Sequence, residues 1–140
     1  MNEIVKGIAA ERSEVVTTER TARHFGSGSV EVYATPAMIN LMEAAALAAI
    51  EELLEEGQTS VGVSFDLRHL AATPVGQRVR ARAEVIDVDG RKVTFRVQAW
   101  DQHELIGEGV HGRMIVNQAK FFGRIQYKVP AAQADHDYPQ

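Results

Sequence analysis

The sequence predicts an α+β domain in which one long helix packs against an antiparallel sheet of about five strands. Three observations carry this. A segment opening at Thr35-Pro36 and closing at Gly57 bears helix start and stop signals around an apolar stripe. Four later segments alternate apolar and polar residues with period two. Short turns join them, and Asp89-Gly90 is a two-residue hairpin signal. The chain has 140 residues, 45% hydrophobic and 24% charged, the balance of an ordinary globular domain. We expect one domain over residues 1–130 and a disordered tail over 131–140, where AAQADHDYPQ is small and polar.

Taken in order, a first strand is expected around Glu14 to Thr18. In the helix, Thr35 is an N-cap type followed by proline, and Met38, Leu41, Met42, Ala45, Ala49 and Leu53 recur at three- and four-residue spacing. Ala44, Ala46, Leu47, Ala48 and Ile50 cover the rest of the circumference, so about three turns should be buried all round. In the next segment Val61, Val63, Phe65 and Leu67 share one face, and His69, in the same register, should point with them toward the helix. Val79, Ala81, Ala83 and Val85 mark the strand at 78–88, and Val93, Phe95, Val97 and Ala99 mark the one after the hairpin. A last strand runs from about Leu105 to Val116.

Composition narrows the function. With no cysteine there are no disulfides, thiolate metal sites or cysteine nucleophiles, and a reducing cytoplasm is the expected location. A net charge of −4 without a basic block gives no footprint for nucleic acid. The longest apolar run, Ala44 to Ile50, falls far short of the ~20 residues a membrane span requires. The start, MNEIVKGIAAERSE, lacks the apolar core of a secretory signal. No HxH or HExxH spacing suggests a metal, and no GxSxG or GxxxxGK[ST] motif suggests a serine hydrolase or a phosphate-cradling loop; neither metal nor cofactor is expected.

Three residues stand out. Glu43 is the only ionisable residue between Pro36 and Ile50. A carboxylate in a buried helix is either a general base or nucleophile facing a cavity, or a structural group satisfied by a partner. His69 is either an acid-base group or a packed core histidine. Thr35 has a complete explanation as a helix cap, worth about 1 kcal/mol, and eight helical residues would set it ~12 Å from Glu43 along the axis. His24, His103, His111 and His136 are weaker candidates, His111 because no spaced partner accompanies it in the last strand.

The stretches VYATPAMINLMEAAALAAI, SVGVSFDLRHLAATPVG, EVIDVDGRKVTFRVQAWD and IGEGVHGRMIV resemble the fluoroacetyl-CoA thioesterase-like branch of the hotdog-fold thioesterases over Val32 to Phe121. The resemblance implies a long helix wrapped by a curved antiparallel sheet, and a homodimer with active sites at the subunit interface. It implies catalytic roles for Thr35 in the Ala-Thr step, Glu43 in Leu-Met-Glu and His69 in His-Leu-Ala-Ala-Thr-Pro. Gly62 matches a strand glycine whose backbone approaches the thioester, and Arg113 a basic residue near the acyl-CoA site. The fluoroacetyl-specific type carries a more aromatic segment where this chain reads Phe25-Gly26-Ser27-Gly28-Ser29-Val30, so hydrolysis of a short or small acyl-CoA is the expected activity. A non-catalytic acyl-CoA or small-ligand-binding protein is the alternative. Arg78, Arg80, Arg82, Lys120 and Arg124 are candidates for the CoA phosphates, or plain surface charge.

Overall fold

The computed structural model describes residues 3–130. The tail expected at 131–140, with His136, lies outside the described residues. The elements are β1 (Ala9–Val15), α1 (Ala22–Phe25), α2 (Thr35–Ile50), β2 (Gln58–His69), β3 (Arg78–Asp89), β4 (Lys92–Trp100), β5 (Leu105–Asn117) and α3 (Gln118–Ile125). The five strands form one antiparallel sheet in the order β1-β3-β4-β5-β2. Helix α2 touches β1, β3, β4 and β2, so it meets both edges of the sheet, and the sheet bends around it as expected.

Strict alternation in the two middle strands builds the floor of the core. Val79, Ala81, Ala83 and Val85 of β3 and Val93, Phe95, Val97 and Ala99 of β4 are buried against Met38, Met42, Ala45, Ala46 and Ile50 of α2. Burying each larger side chain contributes about 1.5–3 kcal/mol. Gly107 of β5 leaves room for the helix, because a Cβ there would lie 2.5 Å from the Met38 sulfur.

Four expectations need correction. The first strand is Ala9–Val15 rather than Glu14 to Thr18: β1 is an edge strand specified by backbone pairing with β3, so its polar sequence carries little period-two signal. Helix α2 ends at Ile50, and Glu51–Leu53 forms a 3-10 turn; Glu51, Glu52, Glu55 and Glu56 would sit at the negative end of the helix dipole had it continued. Gly57, with φ +85°, serves the turn into β2 instead of capping the helix. Third, α2 is not buried all round, since Glu43, Ala44, Leu47 and Ala48 are only partly covered.

The fourth correction bears on function. The pairing of β2 with β5 shifts register between Gly62 and Ser64, leaving Val63 unmatched. This bulge inverts the alternation. Ser60 and Gly62 face inward before it, and Phe65, Leu67 and His69 after it, opposite inward-facing His111, Gly109 and Gly107 of β5. Val63, expected inside, is 51% exposed. No helix among the described residues is long and apolar enough to cross a membrane.

Candidate active site

The chain enters α2 one residue earlier than the capping pattern suggests. Ala34 is the N-cap residue and provides no side-chain cap, Thr35 is the first helical residue, and proline follows. The Thr35 hydroxyl is thereby free of the capping role, and its Oγ1 lies 2.7 Å from His69 Nδ1. His69 ends β2 facing inward, as its register predicts, and the next backbone amide, Leu70 N–H, donates to the Ile106 carbonyl at 2.7 Å. Its Nε2 is buried and has no hydrogen-bond partner among the described residues. Burial holds its pKa below the ordinary 6.5, partly offset by the Ala71 backbone, so the ring is neutral at pH 7.

Thr35 and His69 line a cavity of roughly 390 Å³ with Ala22, Val32, Tyr33 and Ala71. The segment before the helix thus supplies one wall of the cavity. Tyr33 is pinned from three sides. Its hydroxyl donates to Glu14 Oε2 at 2.6 Å, Glu14 pairs with Arg20 at 3.2 Å, and its amide donates to the Thr73 carbonyl at 2.8 Å. Burial, then the Glu14 contact, push the Tyr33 phenol well above its usual range, so it stays protonated as the donor.

A second cluster gathers farther along α2. Glu43 is not buried as expected: its side chain is 40% exposed, and Oε2 lies 3.6 Å from Arg113 Nη1. Glycine on the facing strand leaves the carboxylate its place, because a Cβ on Gly62 would fall 2.6 Å from Glu43 Oε2 and push that movable end aside. Arg113 is buried, with Nε donating to Ser60 Oγ at 2.9 Å and Nη2 to the Ser60 carbonyl at 3.0 Å. Burial lowers its pKa, opposed by the Glu43 charge; a guanidinium still remains a cation. The fold therefore brings Thr35 to His69, and Glu43 to Gly62 and Arg113. Helix α2 starts at Thr35, so the two clusters stand ~12 Å apart along its axis, and no hydrogen bond or ion pair links them among the described residues.

His111, set aside for want of a spaced partner in its own strand, is fully buried beside Arg113. Its Nδ1 partner, the Ser64 carbonyl, comes from β2, far away in sequence, and spacing within the strand could not reveal it. Of the cations considered for CoA phosphates, Arg80 stacks over Trp100 and pairs with Glu11, and Arg82 pairs with Glu84. Lys120 and Arg124 instead line, with Arg91, a cavity of roughly 600 Å³ at the end of β5. Among the described residues no three His, Asp or Glu side chains converge as metal ligands do.

Comparison with known proteins identifies the family and the fold. The family model for the fluoroacetyl-CoA-specific thioesterase matches residues 16–119. A fluoroacetyl-CoA thioesterase of Streptantibioticus cattleyicolor is 38% identical over 123 residues, covering 84% of this chain and 88% of that protein. A crystal structure of a fluoroacetyl-CoA thioesterase superposes with a TM-score of 0.85 at 34% identity, over 92% of this chain and all of the other. A hot-dog-like protein from Thermanaerovibrio acidaminovorans shares the fold at a TM-score of 0.82 and 24% identity, over 90% of this chain and 93% of its own. By sequence and by fold, the chain belongs to the fluoroacetyl-CoA-specific thioesterase family, of the hotdog fold.

Proposed function

We propose that this protein hydrolyses a short or small acyl-CoA thioester to the free acid and CoA, with Thr35, Glu43 and His69 as catalytic residues. The observation that carries the reading is the Thr35–His69 hydrogen bond beside a cavity, with a buried neutral imidazole whose Nε2 has no partner among the described residues. Glu43 supplies the oxygen nucleophile or deprotonates the water that acts as one. A C–O bond forms at the acyl carbon and the C–S bond breaks; neutral His69 takes up the proton that water releases and passes it to the departing CoA sulfur, and where Glu43 has attacked directly, water then splits the acyl-glutamyl anhydride to free the acid. Thr35 holds the imidazole in orientation. The amide next to the acyl carbon at Gly62, where no Cβ intervenes, stabilises the developing oxyanion. Arg113 binds substrate beside Glu43, and Lys120 and Arg124 with Arg91 take the CoA phosphates. The residues around Gly26 to Val30 are small, which favours small acyl groups in general over fluoroacetyl alone.

The active form in this reading is a cytoplasmic homodimer with its sites at the subunit interface. The partly covered apolar face of α2 at Ala44, Leu47 and Ala48, the unpaired edge of β2 and the separation of the two clusters support it. The test is thiol release from a panel of acyl-CoAs, with wild type beside Glu43→Gln and His69→Ala. Hydrolysis by wild type and its loss in both folded variants is expected; a wild type that binds the thioesters without turnover overturns the reading.

A further inference from the structure

We infer that His111 is a positioning residue that holds the Arg113 guanidinium off Glu43. This rests on the reading of Glu43 and Arg113 as part of the thioesterase site. The imidazole is 0% exposed and stacked on Phe65 with ring centroids 4.2 Å apart, with Phe95 at 6.1 Å, so its plane is fixed by packing. Each ring nitrogen has one partner. Nδ1 donates to the Ser64 carbonyl at 2.9 Å, and Nε2 lies 3.2 Å from Arg113 Nη1, a group that can only donate. These two contacts allow a single state, the neutral ring with its proton on Nδ1 and its lone pair toward arginine. Burial and the Arg113 cation both favour that neutral form.

The consequence lies in how Nη1 is shared. Ser60 secures Nε and Nη2, while Nη1 faces both His111 Nε2 at 3.2 Å and Glu43 Oε2 at 3.6 Å. By accepting from Nη1, His111 keeps the guanidinium from closing into a full hydrogen-bonded ion pair with Glu43. Such a pair would lower the carboxylate's basicity and tie up the oxygen that the reaction uses. His111 also clamps the carbonyl at the β2 bulge, two residues from Gly62, so one ring sets both walls around the carboxylate.

His111→Phe keeps the stacked ring and removes both contacts, whereas the amide of His111→Gln can donate to Ser64 and accept from Arg113. For the phenylalanine variant, kcat should fall about tenfold or more while KM stays within about threefold, and the glutamine variant should recover most of the loss. Nitrogen NMR of the wild type should show the His111 ring protonated on Nδ1 alone, and the Arg113 guanidinium signals should move in His111→Phe. Unchanged kcat in a folded His111→Phe, equal losses in both variants, or an Nε2-protonated ring overturns the inference. Because the NMR measurement needs no turnover, it decides the His111 contact even if wild type hydrolyses nothing, the result that would instead defeat the thioesterase reading.

Discussion

If a working site combines Thr35 and His69 of one subunit with Glu43 of the other, two inactive variants should repair each other. Thr35 and Glu43 are fixed on one continuous helix, eight residues and ~12 Å apart, a gap that a single proton transfer does not cross. Mixing Glu43→Gln with His69→Ala subunits makes this testable. In a two-fold dimer the mixed species has one site with both substitutions and one with neither. Random exchange makes half of the dimers mixed, so about a quarter of the wild-type sites return. The assay is thiol release after subunits are mixed in equal amounts and exchanged under mild denaturant, with each variant exchanged against itself as control. Sites contained within one chain predict no recovery, because every subunit then carries a lesion. Absence of recovery with exchange verified by mass would refute the shared site, and a monomer in sedimentation at micromolar concentration would do so earlier.

The depressed pKa of His69 places the acid limb of kcat/KM below pH 6.5, and a limb above that value would contradict a desolvated imidazole. His69 and His111 are both lowered from 6.5, so below that pH the unfolded chain binds protons that the folded chain refuses. Unfolding free energy should therefore be full above about pH 6.5 and fall as pH drops below it, as urea melts would show; a flat response counts against both assignments. Gly109→Ala and Gly62→Ala should part company. The first sets a Cβ against the Asp66 carbonyl and 2.6 Å from Leu67 Cα, backbone that cannot yield, costing about 3 kcal/mol. The second meets the movable end of Glu43 at 2.6 Å, so it should lose activity for about 1 kcal/mol or less of stability; equal melting shifts would show the contact geometry to be wrong. Replacing Lys120 and Arg124 together by alanine should raise KM for an acyl-CoA about tenfold or more and leave the same acyl group on pantetheine unaffected. An equal effect on both substrates removes the phosphate assignment.

Local periodicity determined a good part of this molecule. Strands β3 and β4 and their hairpin were legible because alternation there runs nearly unbroken from Val79 to Ala99 over a buried face. The position of His69 was legible for the same reason, as were the chemical types of Thr35, Glu43 and Gly62 once the resemblance supplied their roles. Local signals failed where distant backbone decides. Polar β1 is a strand because β3 lies beside it. The bulge at Gly62 to Ser64, which turns Gly62 toward Glu43 and Val63 outward, arises from pairing with β5 some fifty residues later. Thr35 reads as a cap by composition and becomes a partner of His69 only because the helix starts one residue early against the end of β2. His111 is legible only in part, since Arg113 follows it by two residues in β5 but the carbonyl that fixes its other ring nitrogen comes from β2. A hydrogen bond needs its partner within about 3 Å, and for these groups only the folded chain determines which partner that is.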